Sequence, residues 1–222
     1  MRRDVLPRAI SESAERAVGR KLNMATAAHL AVCLEDGKTL LRVEGVIQSV
    51  VVDDHHEPDV WDAMIPSVRP HSALILGLGG GTIASLLTRR YGAMPIVGVE
   101  RDARVVTIAR DAFGLGRLAH VQIVLADARQ FVADCRAAFG LICVDLYTGG
   151  KLEHGVLDAT FLLRVARLLT PGGIITINLW SSAYLPDQLR RIQRVLAIRD
   201  VVEVGRNVVV HCALGTQIAI QR

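Results

Sequence analysis

From residue 73 onward, short apolar runs alternate with segments of helical periodicity, and few folds accommodate that pattern. Ala73–Leu76 precedes Ile83–Arg90, Ile96–Val99 precedes Arg104–Phe113, and Val121–Leu125 precedes Arg129–Ala137. Leu141–Val144 then precedes Ala159–Leu169, and Ile174–Leu179 precedes Leu185–Leu196. Apolar runs this short and continuous suit strands buried on both faces, whereas the longer periodic segments suit amphipathic helices. Five strand–helix repeats predict an α/β protein with a doubly wound, mostly parallel sheet and right-handed crossovers. Val201–Val204, Val208–Cys212 and Gln217–Ile220 read as closing strands.

The segment before the repeats is organised differently. Ala9 to Ala28 has the spacing of an amphipathic helix, followed by apolar runs Leu30–Leu34, Thr39–Val43 and Val46–Val52. Asp36-Gly37 between the first two is a hairpin signal. A polar loop, Asp53 to Asp59, leads into a short helix starting at Trp61 and bounded by Pro66 and Pro70. The expected organisation is therefore a helical segment at 1–29 that acts as a lid or a dimerisation surface, a β-hairpin region at 30–66, and a Rossmann-like domain at 67–222.

Composition narrows the function classes. The net charge of +4 comes largely from arginines scattered along the helices, and no basic run is interleaved with aromatics, so a nucleic-acid partner is disfavoured. The four cysteines (Cys33, Cys135, Cys143, Cys212) lack metal-ligand spacing, which fits a reducing compartment. Met1-Arg2-Arg3 is followed by Asp4, Glu12 and Glu15, too charged for a signal peptide, and no apolar run reaches the ~18 residues of a membrane helix. The reading is a cytoplasmic protein with a small-molecule substrate, no membrane partner, and homodimerisation left open.

In doubly wound sheets, ligands bind beyond the carboxyl ends of the strands, so the residues just after each strand carry the chemistry. After the first comes Gly77-Leu78-Gly79-Gly80-Gly81-Thr82, where glycine permits sharp turns and close approach to a ligand. Glu100 follows the second strand, roughly 20 residues past the glycines, where an acidic side chain accepts both ribose hydroxyls of an adenosine and repels a 2′-phosphate. Ala126-Asp127-Ala128 follows the third strand and Asp145-Leu146-Tyr147-Thr148-Gly149-Gly150 the fourth; Thr170-Pro171-Gly172-Gly173 precedes the fifth. The acidic pair Asp127 and Asp145 sets this order apart from a plain dinucleotide fingerprint.

The runs LILGLGGGTIASLL, GVERDARVVTIAR, VLADARQFV, ICVDLYTGG and LLTPGGIITINL resemble the class I S-adenosylmethionine-dependent methyltransferase superfamily, with its seven-stranded sheet. The upstream LLRVEGVIQSVVVDDHHEPDVWDAM adds a likeness to its spermidine synthase (polyamine aminopropyltransferase) branch. The resemblance implies S-adenosylmethionine, or its decarboxylated form, as cofactor. It places Gly77, Gly79 and Gly81 at the methionine end and ribose, Glu100 on the ribose, and Asp127 with Ala128 at the adenine amino group. It makes Gln48 a nucleoside-pocket residue, counts Arg101 and Asp145 with the cofactor set, and makes Asp145 the catalytic acidic residue, with Tyr147 beside it. Trp61 and Asp62 fall where the branch binds its acceptor.

Several positions depart from the branch. An Asp expected in the glycine loop is Gly80, a Tyr-His-Glu acceptor segment is Val60-Trp61-Asp62, and the loop after Asp145 reads Leu146-Tyr147-Thr148-Gly149. A polyamine is a multiply charged cation whose burial needs several carboxylates. On that ground, methyl transfer to a small molecule ranks first, ahead of aminopropyl transfer. Intramolecular chemistry on the cofactor and a non-catalytic nucleoside-binding relative are the remaining alternatives. Asp145 or Tyr147 would orient or deprotonate the nucleophile. The cluster Asp53-Asp54-His55-His56-Glu57 invites a metal, but adjacent histidines on a loop seldom converge on one ion, so a solvated loop and no metal site are expected.

Overall fold

Ala-Leu-Ile-Leu at 73–76 and Phe-Gly-Leu-Ile-Cys-Val at 139–144 are buried along their whole length. Strands apolar on both faces belong inside a sheet covered by helices on both sides. The computed structural model, which describes residues 30–215, has that architecture. Three strands come first: β1 (Leu30–Glu35), β2 (Lys38–Val43) and β3 (Val46–Val50), followed by a short helix, α1 (Val60–Ala63). The alternating part comprises β4 (Ala73–Leu76), α2 (Thr82–Tyr91), β5 (Ile96–Glu100), α3 (Ala103–Asp111), β6 (Val121–Leu125) and α4 (Ala128–Asp134). It continues with β7 (Phe139–Val144), a hairpin of β8 (Tyr147–Thr148) and β9 (Lys151–Leu152), α5 (Ala159–Arg167), β10 (Leu169–Trp180), α6 (Leu185–Gln193), β11 (Leu196–Val204) and β12 (Asn207–Leu214).

The main sheet has the order β11-β12-β10-β7-β4-β5-β6. The pairs β10–β7, β7–β4, β4–β5 and β5–β6 are parallel, and β12 runs antiparallel to both β10 and β11. This is the expected seven-stranded, mostly parallel Rossmann-like sheet. The strand order reverses between β4 and β7, so the crevice forms beyond Leu76 and Val144, which are in register across that pair.

Local boundaries differ from the sequence reading in three places. β10 starts at Leu169, where it pairs with Phe139, and Thr170 to Gly173 form an irregularity before pairing resumes at Ile174. β11 takes over Leu196, read as the end of a helix, because its partner β12 extends to Leu214 and pairs with it. The loop after Asp145 contains the β8–β9 hairpin, too short to leave a periodic signal. The expected helix at Ala9–Ala28 and strand at Gln217–Ile220 lie outside the described residues. Among the described residues, no helix is long and apolar enough to cross a membrane.

The first three strands form a separate antiparallel sheet. Asp36-Gly37 and Glu44-Gly45 turn its hairpins with consecutive positive φ angles, 48° and 75°, then 51° and 78°, the conformation that matches the twist of the flanking strands. Leu41 of this sheet packs with Val105 and Phe113. Two hydroxyls stitch the sheet to the glycine loop. The Gly80 N–H donates to Ser49 Oγ at 2.7 Å, the Val50 N–H donates to Thr82 Oγ1 at 2.9 Å, and the Thr82 hydroxyl donates to the Val50 carbonyl at 2.8 Å. Gln48, adjacent to this seam, is thereby aimed at the carboxyl ends of the main sheet.

Helix α1 is held by a capping box: Asp59 accepts from the Trp61 N–H, while the Asp59 N–H donates to Asp62 Oδ2. His56 Nε2 lies 2.8 Å from the same Asp62 oxygen. Burial pushes the Asp59 carboxyl up from 3.8 to about 6, against the lowering effect of the Trp61 N–H.

Two stability predictions follow from this geometry. A Cβ on Gly80 would lie 2.8 Å from both Ser49 Cβ and Phe113 Cδ1, so Gly80→Ala is expected to cost about 1–3 kcal/mol; a melting temperature equal to wild type would refute the packing role. An acid whose folded pKa is raised favours the fold while protonated, so its contribution is lost as pH rises from 3.8 through about 6. Asp59→Asn keeps a capping side chain without the charge. Its melting temperature should therefore gain on wild type across that window, and a pH-independent difference would contradict the assignment.

Candidate functional site

Two cavities meet at the carboxyl ends of the strands. The first is lined by Gln48, Gly77, Gly79, Glu100, Arg101, Asp127, Ala128, Asp145 and Tyr147 of the expected set, together with Val99, Ala126, Leu146 and Glu153. Glu100 and Asp127, the two carboxylates expected around one adenosine, thus share a crevice with two glycines of the loop. Gly81 lies outside it. Its φ of 93° starts α2, and its bare Cα faces Leu115, where a Cβ would lie 2.2 Å from that side chain. Gly77 owes its identity to chain packing as well, since a Cβ there would lie 2.0 Å from the Asp145 carbonyl oxygen.

Glu100 ends β5 with its carboxylate among backbone donors. Oε2 accepts from the Gly79 N–H at 3.0 Å, and Oε1 accepts from the N–H groups of Arg101 and Asp102 at 2.8 and 3.0 Å. Burial raises its pKa and these donors oppose the rise. Asp127 caps α4, its Oδ1 accepting from the N–H groups of Arg129 and Gln130. That leaves its second oxygen for a ligand. The enclosed volume is about 60 Å³, below the ~300 Å³ at which ligand pockets usually begin. The Arg101–Glu153 pair, 2.9 Å apart with the arginine side chain 46% exposed, forms its outer wall.

The second cavity measures about 400 Å³ and is bounded by Val60 and Trp61 of α1, Arg42 and the run Gly45 to Gln48 of the N-terminal sheet, Asn178 and Trp180 of β10, and Gly150, Arg206 and Asn207. Gln48, Asp145 and Tyr147 line both cavities. Asp145 is half-buried, and donors from two directions hold its carboxylate. The Trp61 indole N–H donates to Oδ2 and the Asn178 side-chain amide donates to Oδ1, both at 2.9 Å. The Asn178 Oδ1 accepts in turn from the Asn207 amide at 3.0 Å. Burial raises the Asp145 pKa, and the two donors partly offset it. Cys143, two residues earlier, is pushed up to about 12 by burial and is an inert core thiol.

Two side chains have other duties than those expected of them. The Tyr147 hydroxyl donates to the Asn178 carbonyl at 3.1 Å, and burial next to Asp145 raises its pKa, so it has no proton-accepting role near neutral pH. Its ring stands 6.1 Å from that of Trp180 and acts as wall. Asp62 lies outside both cavities because its carboxylate serves the cap of α1. Trp61 does face the second cavity, and it grips Asp145.

The Asp53–Glu57 loop is solvated except at His56: Asp53, Asp54, His55 and Glu57 are exposed. His56 is 7% exposed against Asp62, Lys38 pairs with Glu57 at 2.6 Å, and Arg89 lies 3.5 Å from Asp54. His56, Asp59 and Asp62 bring three ligand atoms within 4.8 Å of one another, a grouping that the run of neighbouring residues in the loop did not indicate. Those atoms are engaged with each other and with the backbone in the helix cap.

Asn178, Asn207, Trp180 and Arg206 were missed. The only trace of Asn178 in the sequence is a polar residue in the otherwise apolar ITINLW strand end; the other three become visible once β12 is known to lie beside β10.

No family model matches the chain. In sequence it is 28% identical over 176 residues to the polyamine aminopropyltransferase of Nitrosomonas europaea, an alignment covering 75% of this chain and 53% of that enzyme. The chain thus spans about half the length of that relative, and 24% of a Bifidobacterium longum probable polyamine aminopropyl transferase to which it is 32% identical over 109 residues. In structure it superposes on a probable spermidine synthase from Corynebacterium glutamicum with a TM-score of 0.69 and 18% identity, covering 85% of this chain and 78% of that one. Human methyltransferase-like protein 13 gives a TM-score of 0.60 and 21% identity over 68% of this chain and 78% of that one. The chain has the class I S-adenosylmethionine-dependent methyltransferase fold, and its sequence likeness is to the polyamine aminopropyltransferases within it.

Proposed function

We propose that this chain is a group transferase that takes an alkyl group from an adenosyl sulfonium and places it on a small acceptor held in the second cavity. The first reading of the group is aminopropyl. This reverses the ranking drawn from the sequence. The sequence relatives carry the aminopropyltransferase name, and the space beside Gly80 holds Ser49 and Phe113, so it offers no added room for the carboxylate of intact S-adenosylmethionine.

The observation that carries the reading is the placement of Asp145, half-buried and doubly held, on the wall shared by the two cavities. The donor set of the first cavity fits a nucleoside: Glu100 is an anchored acceptor for ribose hydroxyls, and Asp127 offers an oxygen to an exocyclic amine. A sulfonium bound there would supply an electrophilic carbon, whose bond to sulfur breaks with the electron pair on sulfur as a neutral thioether. Asp145 would take the proton that an ammonium must lose before its nitrogen can attack, and Trp61 and Asn178 keep the accepting carboxylate aimed while doing so. Gln48 and Tyr147 close the seam against water.

A second reading, methyl transfer, keeps one observation in its favour. The glycine loop has no acidic side chain to hold the ammonium of an aminopropyl group. Calorimetry with S-adenosylmethionine and its decarboxylated form, followed by mass spectrometry of incubations with amines, separates the two. Preference for the decarboxylated donor supports the first reading and preference for the intact donor the second; binding of neither overturns both.

Two variants test the site. Glu100→Gln should weaken nucleoside binding by about tenfold to a hundredfold, the range for a hydrogen bond to a charged group; unchanged affinity would remove Glu100 from the ribose. Asp145→Asn should lower the transfer rate about 10²–10⁴-fold while nucleoside binding persists. Because burial raises the Asp145 pKa, the wild-type rate should fall with decreasing pH at a point above the ordinary carboxylate range. A rate flat down to the range of an exposed Asp would exclude the proposed role.

A further inference from the structure

The second cavity lacks the acidic lining that a polyamine requires. Among its lining residues, Arg42, Arg206 and Asp145 carry the formal charges. Arg42 is neutralised by Glu35, with Nε and Nη2 donating to its two carboxylate oxygens at 2.9 and 2.6 Å. Asp145 accepts one hydrogen bond on each oxygen, from Trp61 and Asn178, and is the one acid on the lining. Arg206 has no carboxylate partner among the described residues. Its guanidinium lies over the Trp180 ring at 5.3 Å, and a stacked guanidinium keeps its in-plane N–H donors available for a carboxylate. A polyamine would leave at least one ammonium facing this cation with no acid to compensate it.

We infer that the acceptor is an amine that also carries a carboxylate, with its amino end at Asp145 and its anionic end at Arg206. The inference rests on the transfer reading above and names its acceptor. The strands set the spacing. Asp145 follows β7, Asn178 and Trp180 end β10, and Arg206 precedes β12 in the turn whose Asn207 pairs with Trp180. Two strand spacings separate β7 from β12, roughly 10 Å across the sheet, and the register puts Arg206 level with Ser181, three residues beyond the level of Asp145, or about 10 Å along it. The long arginine side chain spans part of that separation, and its guanidinium, over Trp180, lines the same cavity as Asp145, so an amine and a carboxylate joined by an alkyl chain can engage one at each end. Trp61 and Trp180 furnish apolar walls for the chain between them.

The test uses two probes of matched carbon skeleton, 4-aminobutanoate and 1,4-diaminobutane, which differ in one terminal charge. Each is titrated calorimetrically into the protein alone and into protein saturated with 5′-methylthioadenosine. The expected result is about tenfold tighter binding of 4-aminobutanoate by the wild type. In Arg206→Glu that preference disappears or reverses. Equal or tighter binding of the diamine by wild type, binding of neither probe, or an unchanged preference in the variant overturns the inference. The nucleoside arm keeps the two proposals apart. Bound methylthioadenosine with a diamine preference sinks the acceptor assignment alone, whereas a carboxylate preference without nucleoside binding sinks the donor assignment alone.

Discussion

A carboxylate half-buried at the end of a parallel strand imposes demands on everything around it, and Asp145 is such a group. Removing an ion from water costs several kcal/mol unless hydrogen bonds replace the lost solvation. Here the compensation comes from neutral donors, the Trp61 indole and the Asn178 amide. Neutral donors hold the charge without cancelling it, which an arginine partner would do, so the carboxylate retains proton affinity. They also come from different parts of the chain. Trp61 sits on α1, whose four residues depend on the Asp59–Asp62 capping box, and Asn178 sits on β10, where Asn207 of β12 braces it. The state of Asp145 is thereby tied to the docking of α1 and to the antiparallel closure of the sheet.

The N-terminal sheet is a structural partner of the glycine loop as much as a wall of the site. In this fold, glycines after the first strand are readily explained by a ligand approaching bare main chain. Here protein atoms take much of that space: the Asp145 carbonyl at Gly77, Ser49 and Phe113 at Gly80, and Leu115 at Gly81. Gly77 and Gly79 also face the first cavity, so at those positions packing and ligand approach act on the same backbone. The hydroxyls of Ser49 and Thr82 bind the two segments so closely that a side chain at Gly80 has no room. The missing acidic residue is therefore explained by packing, which weakens the case for methyl transfer built on its absence.

The parallel sheet was readable in the sequence because continuous apolar runs of four to six residues have few other homes, and the positions after each strand then fall at one edge by topology alone. That logic placed Glu100, Asp127 and Asp145 correctly at the crevice. It failed where function depends on which way a side chain turns. Tyr147 and Asp62 occupy suggestive positions, yet one hydroxyl is spent on the Asn178 carbonyl and one carboxylate on a helix cap. It was blind to Asn178, Trp180 and Arg206. Their relevance depends on β12 folding back antiparallel beside β10, a long-range pairing with no local signature.

Donor and acceptor preferences need not change together. The first cavity is built from backbone-held carboxylates, which under the proposed function would recognise a nucleoside whatever its sulfonium carries, while the second is shaped by α1, the β2–β3 turn and the Gly205-Arg206 turn, all on the periphery of the sheet. Peripheral turns accept substitution at little cost to the core, so a fold that keeps the nucleoside site and its half-buried acid can exchange one acceptor for another by altering a single charge at such a turn. Arg206 occupies that kind of position, exposed and stacked on Trp180. A polyamine-type transferase would need carboxylates lining this cavity to hold the far end of its substrate. With a guanidinium there instead, the proposed transfer would owe its donor half to the motifs shared with the aminopropyltransferases and its acceptor half to residues outside them.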